Sequence, residues 1–391
     1  MLLSLFNMVY TVQAEQTLSA PAITCATQSA FYNVKLLDTL SEEIPGAVLL
    51  VKSPMCHFKQ GLGLSDIDKK IPMESTTIVP VGSGGKMLIG LLSAILATEG
   101  KIDIDMPLSK FIDDETMSRI PNGKLITFRQ ALNHTAGLYN YVDNQHFFYD
   151  SFADPLTEKD NRYALSYAYD KPATSLPGER FNYSNTGYLL AGIALDKALG
   201  AHHAGMLRSR VITPLNLKNT FYNGVETNTS IISPGYLFID ENSPLGMAGT
   251  RLETQDVYSN MALADAPIAS NVTDLSIILR GIVKTSDIST PSVKNLLWGK
   301  KSLIKIEDGN YFDSSQVYYG LGIFLERLPS LTLYHHGGAE LGYFVQNVYI
   351  PKLDVSVAAI FNCGAVASCD EPAMSLVYDV LSFILARELS E

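Results

Sequence analysis

Short runs with strand character stand at both ends of this chain, and the stretch between them, from residue 83 to about 300, is mostly helical in spacing. "PGAVLLVKS" and "CHFKQGLGLSD" read as two strands joined by a turn at Ser53-Pro54. Far along the chain, "GLGIFLERL", "LTLYHHGG", "YFVQNVYI" and "VSVAAIFN" are rich in β-branched and aromatic residues, which suits strands of an antiparallel sheet. Helical spacing flanks both sets. "AFYNVKLLDTLSEE" places Phe31, Val34, Leu37 and Leu40 on one stripe, and "EPAMSLVYDVLSFILARELS" closes the chain. If the first and last strands share a sheet, the helical middle is packed beside it and the crevice between them is where a site forms. The expected class is therefore α+β: an antiparallel sheet flanked by helices with a large helical region beside it. No repeat or linker divides the chain, so one domain is expected over residues 20–391, with its sheet region at about 30–82 and 315–391 and its helical region at about 83–314.

Charge narrows the functional classes. Forty acidic against 29 basic residues give a net charge of −11, a field that repels nucleic-acid phosphates and anionic lipid. No run of about twenty apolar residues exists to form a membrane-spanning helix. "MLLSLFNMVYTVQAEQ" has a short apolar stretch followed by Val12-Gln13-Ala14, the small-residue pattern of a cleavage site, so residues 1–14 read as a signal peptide of a periplasmic or secreted protein. A basic n-region is missing, and a buried or frayed N-terminal segment is the alternative. Cys25, Cys56, Cys363 and Cys369 show no C-x-x-C pairing and no histidines at ligand spacing, which argues against zinc. Cys363 and Cys369 flank "GAVAS" and can close a small ring in an exported chain, free buried thiols being the other reading. No metal or organic cofactor is implied.

The chemistry begins at "VPVGSGGKMLIG", residues 79–90. A phosphate-binding loop would need glycine where Pro80 stands and a hydroxyl where Met87 stands. A nucleophile elbow would need glycine in place of Val81. What remains is S-x-x-K, Ser83 to Lys86, opening "MLIGLLSAILATEG", which is apolar on almost every face and reads as a buried helix. Residues three apart on a helix share a face, so the amine can reach the hydroxyl. Burial disfavours an ammonium, and a neutral amine beside a serine can take its proton. The helix start also offers N–H groups to an oxyanion. A second copy, Ser302 to Lys305, runs into "IEDGN" and reads as surface or strand edge.

Two further segments can complete such a site. In "PGERFNYSNTGYLLAGIALDKALG" a Pro-Gly turn leads through Tyr183-Ser184-Asn185 into a helix; in an extended segment Tyr183 and Asn185 point the same way, a phenol to relay a proton and an amide to hold a substrate. A core tyrosine and a capping asparagine are the plain alternative. Tyr258-Ser259-Asn260 repeats the triplet without the turn-then-helix frame. In "LYHHGGAELGYF", Gly337 and Gly338 on a strand would let a ligand backbone approach, and a neighbouring histidine can donate to a carboxylate or carbonyl. Alternation puts His335 and His336 on opposite faces, so one of them can serve.

With these elements in order, the chain resembles the serine β-lactamase and penicillin-binding-protein superfamily, in its class C and D-alanyl-D-alanine carboxypeptidase-like branch. The resemblance runs from about Ile44 to Asn362 through "IPGAVLLV", "GLGLSDIDKKIPMESTT", "VGSGGK", "ATEGKIDIDMPLSKFI", "ITFRQALNHTAGL", "LPGERFNYSNTGYLLAGIAL" and "HGGAELGY". It implies a β-lactamase-like fold, Ser83 as acylated nucleophile, Lys86 as its base, Tyr183 as proton relay and Asn185 as substrate-binding amide. It also implies that His336-Gly337-Gly338 takes the place of a Lys-Thr-Gly strand, with the N–H groups of Ser83 and Ala339 as the oxyanion hole. Two departures stand out. Gly84-Gly85 replaces a bulkier pair and loosens the first turn by roughly 1 kcal/mol per glycine relative to alanine. Histidine replaces lysine on the third element, which is more usual among the superfamily's peptidases, aminopeptidases and esterases. The implied protein is a serine hydrolase acting on a small peptide, ester or β-lactam, foremost a D-alanyl-D-alanine carboxypeptidase or related D-amino-acid peptidase. An esterase or weak β-lactamase on the same scaffold, or a non-catalytic binding protein, are the alternatives.

Overall fold

The computed structural model describes residues 24–239, 248–307 and 309–388. The expected leader, residues 1–14, lies outside them. Gly46–Lys52 is a strand hydrogen-bonded on one side to His57–Asp66 and on the other to Val355–Phe361, with Ala47 opposite Phe361 and Lys52 opposite Ser356. The two ends of the chain therefore share one antiparallel sheet. Its order is Ile304–Ile306, Gln316–Tyr319, Phe324–Arg327, Thr332–His335, Tyr343–Ile350, Val355–Phe361, Gly46–Lys52, His57–Asp66 and Ile71–Pro72, and Gly338–Glu340 pairs with Tyr343–Ile350 as a tenth strand.

Helices cover both faces, which is why the central strands are apolar without alternation. Val48, Leu50, Val345, Ala358 and Ile360 pack with Leu275, Ile278 and Leu279 of helix Val272–Val283 and with the helix Lys86–Thr98. Their neighbours Leu49, Val51, Val357, Ala359 and Phe361 pack on the other face against Tyr32 and Leu36 of helix Cys25–Thr39 and Val377 and Leu381 of helix Ala367–Glu388. Each such side chain contributes roughly 1.5–3 kcal/mol by leaving water.

Three expectations need correction. The first helix exists, but Val34 and Leu37 are 53% and 57% exposed, and the buried face carries Tyr32 and Leu36. Aromatic contacts set its rotation: Phe31 stacks on Phe383 at 4.3 Å, and Tyr32 meets Phe58 at 5.5 Å. The stretch to residue 314 is not wholly helical, because Ile304–Ile306 pairs with Gln316–Tyr319 and forms the sheet edge. Ser302 is not a surface residue. It is fully buried, donating to the Leu296 carbonyl at 2.5 Å and accepting from Arg129, while Lys305 alone lies exposed on the edge strand.

Cys363 and Cys369 form a disulfide, and Cys25 and Cys56 form a second that ties the first helix to the hairpin between the first two strands. Among the described residues no helix is long and apolar enough to cross a membrane.

Candidate active site

Ser83 sits in a 3₁₀ turn, Gly82–Gly85, that runs into the helix Lys86–Thr98. In a 3₁₀ turn side chains three apart eclipse, so Ser83 and Lys86 stack more directly than in an α-helix. Lys86 Nζ lies 2.9 Å from Ser83 Oγ and 2.7 Å from the Asp265 carbonyl. The lysine is fully buried, and its Nζ faces the rings of Tyr183 and Tyr188 at 5.4 and 5.3 Å from their centroids. Every residue from Lys86 to Leu96 is buried, as the all-round apolar pattern requires.

The glycines around the serine are demanded by space. Gly82 has φ +56°, a left-handed conformation that favours glycine. A β-carbon on Gly85 would fall 2.6 Å from Pro267 Cδ, and one on Gly84 would fall 2.9 Å from Val81 Cγ1. The Gly84-Gly85 departure thus lets the nucleophile turn lie directly on its neighbours. Gly338 corrects the expectation that its missing side chain makes room for a ligand: a β-carbon there would meet the Val81 carbonyl at 2.0 Å and Ser83 N at 2.9 Å. The glycine admits the protein's own serine turn, and this close approach brings the backbone amides of Ser83 and Ala339 to one place.

Ser83, Tyr183, His336, Gly338 and Ala339 line a single cavity of about 390 Å³. Tyr183 belongs to the extended segment before helix Asn185–Leu199, with Ser184 at φ −146°, ψ 121°. Asn185 opens that helix outside the cavity wall. Its N–H is held by Asn140 Oδ1 at 3.0 Å, and its own Oδ1 is buried without a hydrogen-bond partner. The repeated triplet is separate: the Tyr258 hydroxyl accepts the Leu341 N–H at 2.9 Å and also bonds the Glu340 side chain.

His336 also departs from expectation, through residues that motif reading missed. Ser184 N–H donates to His134 Nδ1 at 3.1 Å, which leaves the proton of this buried, neutral imidazole on Nε2. His134 Nε2 therefore donates to Tyr319 Oη at 3.2 Å, and Tyr319 donates to His336 Nε2 at 3.1 Å. His336 must then carry its proton on Nδ1, which donates to the Gly337 carbonyl at 2.6 Å. Burial, with Lys86 nearby, pushes the His336 pKa down to about 3, so the ring is neutral and has no N–H left for a ligand. Opposite faces for the two histidines also fail, because the strand stops at His335 and resumes at Gly338; both rings line the cavity. His134 has φ +59° and stacks on Tyr183 at 4.0 Å, fixing the phenol's plane. Its place in "NHTAGL" is visible in the sequence, but nothing local names its partners.

Two carboxyl groups stand behind the lysine. Asp265 is buried and its pKa is raised by burial, against the pull of Lys86; Tyr141 donates to its Oδ2 at 3.0 Å, and Oδ1 has no partner. Glu340 lies against Gly82, and burial, reinforced by Asp265, pushes it up to about 8. Between its ordinary 4.5 and about 8 the unfolded chain has lost this proton while the folded chain keeps it, so stability falls as pH rises through that window. Glu340→Gln has no such proton. Its Tm advantage over the parent should be near zero at pH 4 and largest at pH 8, as measured by calorimetry; a difference that does not vary with pH would contradict the assignment.

Known proteins share the family and the fold of this chain. The chain is 27% identical over 209 residues to protein flp of Staphylococcus aureus (strain MW2), covering 51% of this chain but 40% of that protein, so it spans less than half the length of that relative. It is 22% identical over 315 residues to penicillin-binding protein 4* of Bacillus subtilis (strain 168), covering 79% of this chain and 66% of that protein. The D-amino acid amidase of Ochrobactrum anthropi SV3 shares the fold with a TM-score of 0.73 at 21% identity, over 91% of this chain and 99% of that one. The Beta-lactamase family model matches residues 33–373, a span that holds the serine turn, the Tyr183 segment and the His336 segment, and the chain belongs to that family.

Proposed function

We propose that the chain is a serine hydrolase that cleaves small amides through an acyl-enzyme on Ser83. The observation that carries this reading is the 2.9 Å contact between Ser83 Oγ and the amine of a fully buried lysine. Lys86 takes the hydroxyl proton as Oγ bonds to the substrate carbonyl carbon, and the N–H groups of Ser83 and Ala339 receive the oxyanion. Tyr183 relays the proton to the departing amine, the C–N bond breaks, and water then releases the acyl group from Ser83. No metal or cofactor takes part in this scheme. The likeness to a D-amino acid amidase supports amides of D-amino acids as substrates, and that to a penicillin-binding protein supports β-lactams as acylating mimics. Export to the periplasm or medium is supported by the two disulfides.

An esterase on the same site is the second reading, since an alcohol leaves more easily than an amine and makes less demand on Tyr183. One comparison tests the relay and separates these readings. Tyr183→Phe should lower kcat on an amide by roughly 10²–10⁴ and on a matched p-nitrophenyl ester far less. Tyr258→Phe should lower Tm, because the Leu341 N–H loses its acceptor, with little change in kcat on either. Greater catalytic loss from Tyr258→Phe would reverse the assignment.

A further inference from the structure

The cavity beside Ser83 has a chemical character that the nucleophile motif does not dictate. Beyond Tyr183 and His336 its walls include Phe324, Tyr311, His335, Phe344 and Met374 with the polar Gln346 and Asn310, and among the described residues no lysine or arginine lines it. Lys86 lies beneath Ser83 with its Nζ engaged by the serine and the Asp265 carbonyl. His336 has its N–H committed to the Gly337 carbonyl. A carboxylate entering this cavity would find no cation and no histidine donor from the third element, and would have to be desolvated against aromatic rings.

The rings form one layer. His335 stacks on Phe324 with centroids 5.1 Å apart and planes 9° apart, and Tyr311 meets His335 edge-on at 5.0 Å. Burial holds the His335 pKa down to about 3, so its ring is neutral at working pH, and Nε2 is buried without a hydrogen bond.

Tyr311 stands on a loop, and a loop aromatic needs an anchor if it is to form a wall. That anchor is Glu326, a fully buried carboxylate on the strand Phe324–Arg327. It accepts the N–H of Tyr311 at 2.9 and 3.0 Å and the N–H of Phe312 at 2.8 Å. The Tyr311 hydroxyl is tied in turn to Gln346 Oε1 at 2.6 Å. A buried carboxylate is costly unless its oxygens are filled; here they are filled by the two amides that set the Tyr311 wall.

We infer that this aromatic cavity, held open by Glu326 as a positioning residue, selects substrates whose group beside the scissile bond is neutral and apolar, foremost aromatic, and rejects a free terminal carboxylate. The inference rests on the serine-hydrolase reading and narrows it: an amidase or esterase for uncharged aromatic substrates is expected, and a carboxypeptidase is not.

The test uses the full protein and three compounds that change one property at a time: N-acetyl-D-phenylalanine amide, its free acid, and N-acetyl-D-alanine amide. Each is measured as a competitor that protects Ser83 from a small fluorophosphonate, read by intact mass. The aromatic amide should protect at a concentration at least tenfold below that needed by either other compound. Tyr311→Ala should abolish the preference for the ring over the methyl group, and Glu326→Gln should weaken it in the same direction. Equal or better protection by the free acid would overturn the inference, as would a Tyr311→Ala protein that keeps the ring preference. If Ser83 is never labelled, the hydrolase reading itself fails and the inference falls with it; labelling with the wrong preference sinks the inference alone.

Discussion

Ser83→Ala should abolish covalent labelling by a fluorophosphonate probe and lower kcat/KM on the order of 10⁴ or more, with Tm close to that of the parent. Removing this hydroxyl leaves the fold's core untouched, because Ser83 is only partly buried and its partner Lys86 keeps the Asp265 carbonyl. Ser302→Ala should give the reverse. Ser302 is buried and bonds both the Leu296 carbonyl and Arg129, whose guanidinium also forks onto Asp105 at 2.6 and 3.0 Å. Its loss leaves a buried charged donor short of an acceptor, at a cost of about 1–3 kcal/mol. The variant should therefore melt several degrees lower yet label at the parental rate. Intact-mass analysis and differential scanning calorimetry on both proteins read the two effects independently. A Ser83→Ala protein that still forms the adduct would remove the nucleophile from Ser83 altogether.

Lys86→Met is the second large effect. Methionine is close to lysine in length and fits an apolar helix position, so the fold should survive. The chemistry should not: loss of the base is expected to slow acylation by roughly 10²–10⁴. The Asp265 carbonyl loses its 2.7 Å partner, and the Asp265 carboxyl loses the Lys86 interaction that opposes its burial, which raises its pKa further. Stopped-flow acylation with a chromogenic ester checks the rate, and thermal melts check the fold. Acylation at the parental rate in Lys86→Met would pass the base role to another group.

Much of the architecture was legible because it rests on repeating patterns. Strand runs at both ends and helical spacing between them led to one sheet with helices around it, and the pairing of Gly46–Lys52 with Val355–Phe361 realises it. Where the pattern was ambiguous, packing decided. The apolar stripe on the first helix pointed to Val34 and Leu37, but Phe58 and Phe383 captured the neighbouring face, and no local spacing reveals which aromatic partners will arrive from elsewhere in the chain. Ile304–Ile306 is too short to carry a period of its own, so only its partner Gln316–Tyr319 makes it a strand.

The sequence by itself determined the part of the site that is local. Ser83 and Lys86 lie three positions apart on one turn, so their contact follows from helical geometry once the segment is buried. Everything that sets what those two residues act upon was decided by tertiary structure. The proton on His336 is fixed by a chain of hydrogen bonds that starts at the Ser184 amide and passes through His134 and Tyr319. Gly338, which read as room for a ligand, turned out to be room for the serine turn itself. The aromatic wall depends on Glu326 meeting the amides of a loop on a different part of the chain. Hydrogen bonds and ring contacts of this kind act over a few ångströms between residues far apart in order, and spacing along one segment carries no record of them.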